Sequence, residues 1–555
     1  MNRKLNLTLL VASSMLIALT GCTFMHDDMA DSDIPTEQKG DVYVRLNVSM
    51  DALDGSRTVK QVASDGIAEY SPNGGENGDG EEAGQDYENV IDNVRLFFFE
   101  KPKDGKGINT VSAGDITFTR TNMVDFSVFS PSDKKTYTSK PVPMTLKRNS
   151  RYNVLAVANL SSVERAELDR TAQENPNKLT LGNLRDKIQK RAWSGDDSQG
   201  YSSFVMATAD MPEEINVEKK IYSSDDPLIV KTDVERHAAR VDYKRSGDFT
   251  CTDPSYKDAT VTIEGAALIN SLTGGTYMFK RVASEIDGTP DYLGKETPDV
   301  GINTNYVIDP WSNEKSLPES EEMKAVYSNW RYETHPDAED WAAYVKEGAT
   351  LEGKSNDGYR RIGYTMENTM SAANADKHYA TGAVFKAKFK PVAGSVAAKE
   401  KGGYKEGATF FVFDNKIYAS LEDLIAVPDI DLGTFDKDSK NWESKYGYVC
   451  NTVEGKADVA LGNVKGKTTR ELLAPFGIKV YKDATCYYTW WIRHSNDRSD
   501  ETNGVMEYAI VRNNVYKLNV VDIYSIGGTV PEEGNIKVRV YVKNWKLLDS
   551  EQLEM

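Results

Sequence analysis

A mainly β chain arranged as two sandwiches is what this sequence predicts, and three observations carry the expectation. Hydrophobic residues make up 39% of the 555 and aromatic ones 10%, with 29 tyrosines among them. That is enough apolar surface for more than one core, and it leans toward residue types that favour strands. Apolar and polar residues also alternate with a period of two in short runs, separated by stretches rich in Gly, Asn, Asp and Ser. One such run, "NIKVRVYVKNWKLL" at 535–548, stands almost at the end of the chain, where chains commonly fray. It sends Ile536, Val538, Val540 and Val542 to one side and Lys537, Arg539, Tyr541 and Lys543 to the other.

The chain opens with Asn2, Arg3 and Lys4 followed by an apolar stretch from Leu5 to Leu19. That stretch is short for a spanning helix and has the layout of a signal peptide, over 1–21. It ends in Leu19-Thr20-Gly21-Cys22, which resembles the lipobox of bacterial lipoproteins, so Cys22 is the expected site of lipidation. Residues 22–40 then read as an acidic tether, "TFMHDDMADSD", between a lipid anchor and a folded part.

The first strand follows as "DVYVRLNVSM" at 41–50, with Val42, Val44, Leu46, Val48 and Met50 on one face. Residues 51–87 are dominated by Asp, Glu, Gly, Asn and Ser and read as a long exposed loop without order of its own. Further strands are expected at 89–100, 124–130, 141–147, 151–160 and 204–211, with one or two short helices in 161–193 covering loops or one end of the sandwich. The stretch "PLIVKTDVERHAARVDYKRS" at 227–246 reads as one strand leading into another, which places the domain boundary near 235/236.

A strand at 259–270 continues the second part. Residues 285–400 show little alternation and read as large decorated loops with short helices. Strand patterning returns at 408–425, 486–495, 513–526 and finally 535–548. Two sandwiches of the transthyretin or immunoglobulin general type, at 58–235 and 236–530, followed by a last strand in 531–555, are the economical arrangement.

Chemistry is sought and mostly not found. The formal net charge is -18, which repels phosphate backbones and removes nucleic acid from the partners. No HExxH, GxSxG, phosphate-binding glycine loop or CxxC is present, so no catalytic residue is assigned and the chain is read as a non-enzyme without cofactors. The five histidines and the cysteines show no metal-ligand spacing, and the acidic clusters at Asp436 and Asp438 and at Asp497, Asp500 and Glu501 lack the full calcium-loop pattern. Cys251, Cys450 and Cys486, an odd number at distant spacings, define no disulfide framework. Trp330, Trp341, Trp490 and Trp491 are read as core or strand-edge cover before sugar-stacking platforms.

Taken together, the C-terminal block 487–528 with "GVMEYAIVRNNVYKL", the "VERHAARVDY" segment at 234–243 and the lipobox resemble the fimbrillins of Bacteroidales-type bacteria. These are also called type V pilins, and the likeness is nearest to major subunits of the short, Mfa-type fimbriae. The resemblance implies a life history. Such pilins are exported as lipoproteins to the outer membrane and cut by an Arg-specific protease in the loop after the first strand. A neighbour's C-terminal strand then fills the groove left behind, giving a surface fimbrium that supports adhesion and biofilm formation.

Carried onto this sequence, the cut falls between Arg57 and Thr58, since Arg57 is the only arginine in 51–87, with Lys60 as the fallback. The removable portion is 41–57, the displaced side chains are Val42, Val44, Leu46, Val48 and Met50, and the donor side chains are Ile536, Val538, Val540 and Val542. Implied partners are other copies of the chain, anchor and tip subunits, the protease, and host proteins or glycans. The alternatives are a tip or anchor subunit, or a monomeric surface lipoprotein that binds glycans or proteins. Deleting 535–555 is expected to leave a folded chain that cannot polymerise.

Overall fold

The computed structural model describes residues 39–50, 81–100, 123–129, 136–174, 181–208, 213–244, 247–283, 291–292, 306–312, 315, 320–330, 338–352, 358–370, 379–398, 403–420, 423–424, 473–474, 477–494, 507–532 and 534–546. The fold is mainly β, as expected. Most of the long strands fall where the sequence alternates, so period-two patterning was the dominant local signal.

Nine strands form the N-terminal sandwich. In one layer the first strand, Lys39–Ser49, lies between Leu228–Arg236, which runs parallel to it, and Val142–Lys147 with Thr136–Ser139, which run antiparallel. In the other layer Asn93–Glu100 lies between Met123–Phe129 and Ser150–Ala158. The layers join at both edges. Met123–Phe129 pairs with Thr136–Ser139, and Met206–Thr208 pairs with both Leu228–Arg236 and Ser150–Ala158. The sheet thereby closes on itself, with Glu213–Val217 added at Ser150–Ala158 as an edge.

Three consecutive phenylalanines show how the pleat divides the apolar surface. Phe98 points between the layers, while Phe97 and Phe99 point outward. There they meet Leu168 and Ala172 of the helix Ser162–Glu174 and Leu184 of the helix Leu181–Asp186. The inserted helices therefore cover the outer face of a sheet, where loops or a sandwich end were expected. A strand buried on both faces needs such cover.

The C-terminal sandwich packs a six-stranded sheet on a four-stranded one. The first runs Glu81–Ala83, Ile536–Lys546, Asn514–Ile523, Ala238–Lys244, Tyr359–Met366, Ala349–Thr350; the second runs Phe249–Thr250, Thr260–Ile269, Gly382–Lys390, Thr485–Trp491. A smaller sheet of Val396–Ala397, Phe410–Phe413, Lys416–Tyr418 and Lys479–Tyr481 flanks them. The chain crosses from one sandwich to the other at His237, which is fully buried.

Two expectations need correction. Residues 285–400 are not only loops, because Tyr359–Met366 and Gly382–Lys390 are long central strands of the C-terminal sandwich. Their inner positions include Gly363, Ala383 and Ala387, small residues that weaken the apolar contrast on which alternation is read. The segment 51–87 is not loop throughout either: Glu81–Ala83 is a strand and Asp86–Glu88 a helical turn.

Candidate functional site: the seats of the first and last strands

The first strand owes its seat to alternation. Val42, Val44, Leu46 and Val48 are fully buried and Met50 is 1% exposed, all in the core between the two layers. On one flank Val42 stands opposite Met144, Val44 opposite Val142 and Val48 opposite Tyr137; on the other, Val44, Leu46 and Val48 stand opposite Leu228, Val230 and Thr232. Side chains add to the ladders: the Leu46 N–H donates to Ser139 Oγ at 2.9 Å, and Ser49 Oγ donates to Asp233. Arg45 lies within the strand, opposite Ile229, so its backbone is held on the sheet.

The last strand, Ile536–Lys546, is seated in its own chain. It runs antiparallel to Asn514–Ile523, with Val538 opposite Val520, Val540 opposite Leu518 and Val542 opposite Tyr516. Val538, Val540 and Val542 are 1%, 4% and 8% exposed in the C-terminal core, and Ile536 packs on its rim. Beyond Val542 the strand contributes to the other face of the same sheet. Trp545, fully buried, joins the core of the N-terminal sandwich.

Around Trp545 the two sandwiches meet through buried charge. The Arg236 guanidinium lies 4.5 Å from the Trp545 ring centroid and donates from Nη1 to the Trp545 carbonyl oxygen at 3.0 Å. Tyr364 also stacks on Trp545, with ring centroids 5.9 Å apart and planes 6° from parallel. Arg240 pairs with Glu88 at 2.8 Å and with Asp242 at 3.1 Å, and Lys517 pairs with Glu82 at 2.9 Å. Burial opposes the charge on both arginines. It brings Arg236 down to about 10, whereas Asp242, Glu88 and Glu82 more than offset it at Arg240 and raise that group.

Met50, at the end of the first strand, touches this cluster: its sulfur is 3.5 Å from Arg236 Nη2. Glu81–Ala83, the next described strand, pairs in parallel with Asn544, Trp545 and Lys546 of the last strand. The terminal strands thus meet at one cluster. The contribution of 81–88 was not legible, because "EEAGQDYE" has no alternation and its carboxylates find their cations hundreds of residues away.

Cys22, Arg57, Thr58, Lys60 and Cys450 lie outside the described residues, as do the acidic clusters near 436 and 500. Cys251 and Cys486 are free and buried in the C-terminal core, and burial pushes their thiols up to about 12 and about 11. Trp330 and Trp341 are 5% and 0% exposed, so neither ring offers a face to a sugar; Trp490 and Trp491 are half-buried against core clusters.

Fold and strand seats together define a two-sandwich β protein whose first and last strands both fill cores. Residues 479–551 specify its C-terminal part further: they match the family model described as major fimbrial subunit protein type IV, fimbrillin, C-terminal. The likeness to fimbrillins read from residues 487–528 is borne out by that match. No curated protein is matched by the chain. Among solved structures it is similar to the tip fimbrial protein Mfa3 from Porphyromonas gingivalis with a C-terminal truncation, at 10% identity and a TM-score of 0.32, over 91% of this chain and 100% of that one. It is also similar to a fimbrilin, FimA, from the same organism, at 12% identity and a TM-score of 0.33, over 92% and 99% of the two chains. A fimbrial assembly protein from Parabacteroides distasonis matches at 12% identity and a TM-score of 0.23, over 49% of this chain and 77% of that one.

Proposed function

We propose that the chain is a subunit of a surface fimbrium that polymerises by exchanging strands and performs no catalysis. It would be exported as a lipoprotein anchored through Cys22, cut between Arg57 and Thr58 by an Arg-specific protease, and completed by the last strand of another copy. The observation that carries this reading is the position of the first strand. An N-terminal segment is inserted between two strands of one layer, with five inward side chains exposed by 1% or less.

Taking that segment away would uncover an apolar trough flanked by two rows of unpaired backbone groups, a template for an added strand. At about 1.5 to 3 kcal/mol for each buried side chain, the trough is worth roughly 7 to 15 kcal/mol to whatever fills it. The last strand has the matching period of apolar residues. Its home pairing favours a second reading, a monomeric surface lipoprotein or terminal fimbrial subunit in which that strand never leaves.

One experiment separates the two. The purified precursor is treated with a trace of Arg-specific protease, then followed by N-terminal sequencing and by electrophoresis without boiling. Polymerisation predicts a new N-terminus at Thr58 and a ladder of oligomers, both absent in Arg57→Ala. Complete cleavage at Arg57 that leaves only monomer would falsify strand exchange and support the second reading.

A further inference from the structure

We propose that the chain forms an intramolecular isopeptide bond between the Lys315 side-chain nitrogen and the Asn368 side-chain carbonyl carbon, with Asp309 carrying the protons. Two segments converge here, one carrying Asp309 and Lys315 and the other Asn368 and Thr369. Lys315 Nζ lies 2.8 Å from Asn368 Oδ1, 2.6 Å from Asp309 Oδ2 and 2.7 Å from the Thr369 carbonyl oxygen. Lys315, Asn368 and Thr369 are fully buried and Asp309 is 1% exposed, so the amine, the amide and the carboxylate are shut away from water together.

The amide is held for attack. Asn368 Nδ2 donates to the Tyr379 carbonyl oxygen and to Thr381 Oγ1, each at 3.0 Å. The Tyr327 hydroxyl donates to Asn368 Oδ1 at 3.2 Å, the oxygen that also accepts from Lys315, and polarises the carbonyl. The Asn368 backbone is fixed by two hydrogen bonds with Ile510, at 2.9 and 2.7 Å. Groups pinned at contact distance react as though at very high concentration.

The chemistry balances without a co-reactant. The Lys315 ammonium gives a proton to Asp309, which burial favours because it pushes the lysine below its ordinary range. The free amine adds to Cγ of Asn368, and the developing oxyanion takes the Tyr327 hydrogen bond. Asp309 passes its proton to the departing amide nitrogen and accepts the second proton of the attacking nitrogen. The C–N bond of the carboxamide breaks, the ammonia released takes the remaining proton from Asp309 and leaves as ammonium, and a secondary amide remains. Asp309 keeps hydrogen bonds from the Trp311 and Thr369 backbone N–H groups, at 2.7 and 2.6 Å, so its carboxylate stays satisfied once the ammonium has gone.

Mass spectrometry of the full chain, denatured and digested with trypsin, decides the matter. The bond predicts a branched peptide in which Lys315 is uncut and joined to the Asn368 peptide, lighter than the sum of the two by one ammonia. Ordinary linear peptides containing Lys315 and an intact Asn368 overturn the proposal. So does loss of ammonia confined to a succinimide at an asparagine with Lys315 unlinked. Asp309→Asn keeps the shape but cannot accept a proton, and is expected to yield only linear peptides; a branched peptide in that variant removes Asp309 from its role. Lys315→Arg serves as the unlinked reference.

Discussion

His494 is buried, 8% exposed, with Nδ1 2.8 Å from the Tyr516 hydroxyl, and burial, with Lys280 adding to it, lowers its pKa from 6.5 to about 4. The folded chain therefore keeps this imidazole neutral while the unfolded chain protonates it, so stability is lost as pH falls from about 6.5 to about 4 and no further below that. His237, also lowered by burial, acts in the same direction. Glu235, raised by burial to about 7, takes up its proton earlier in the folded chain and works the opposite way. The clean measurement is a difference. Urea denaturation of His494→Gln against the parent should show the parent losing on the order of 3 kcal/mol relative to the variant across that window. At the junction, Arg240→Met strips Glu88 and Asp242 of their cation, and an unpaired buried charge is expected to destabilise by about 3 to 5 kcal/mol in the same assay. A methyl group on Gly527 would stand 2.4 Å from the Tyr487 carbonyl oxygen, a backbone atom with little room to yield. Gly527→Ala should cost about 1 to 3 kcal/mol, read from the thermal midpoint.

At the scale of elements, the last strand belongs to two cores at once. Its valines fill the C-terminal sandwich and Trp545 fills the junction. The expectation that deleting 535–555 leaves a folded chain is therefore corrected. The deletion removes three buried valines, at about 1.5 to 3 kcal/mol each, and a tryptophan worth about 3 to 5, which together rival the whole stability of a typical domain. The truncated chain should lose its cooperative C-terminal transition in calorimetry and become sensitive to protease. A test of strand donation that spares the fold is a synthetic peptide of residues 534–548 added in excess to the cleaved precursor. If strand exchange operates, the peptide shortens the oligomer ladder, and a version with Val538 and Val540 replaced by Asp does not. The strands themselves were largely legible, because alternation against solvent is a local property. Tyr359–Met366 escaped notice because it is buried along most of its length, which erases alternation.

For the whole molecule, the two terminal strands meet one buried cluster: Met50 touches Arg236, Arg236 holds Trp545, and Glu82 pairs with Lys517 beside the last strand. Release of the last strand means uncovering this cluster as well as the valines. If copies exchange strands as proposed, the rate is set by opening of this home seat rather than by affinity. Ladder formation by cleaved precursor should be slow in buffer and accelerate several-fold in urea well below the unfolding midpoint, as densitometry over time would show. A rate that does not change with urea would mean the last strand is already free.

By itself the sequence determined the β class, most strand positions, the inward faces of both terminal strands and the likeness of its C-terminal block to fimbrillins. Each of these rests on short-range pattern: period two for burial, and a contiguous block for kinship. Tertiary structure alone decided that the last strand sits at home, that 81–88 clasps it, and that Lys315, Asp309 and Asn368 share one dry pocket. Most such pairings join residues tens to hundreds of positions apart, and neither the register of a parallel neighbour nor the partner of a buried charge leaves a periodic trace along the chain.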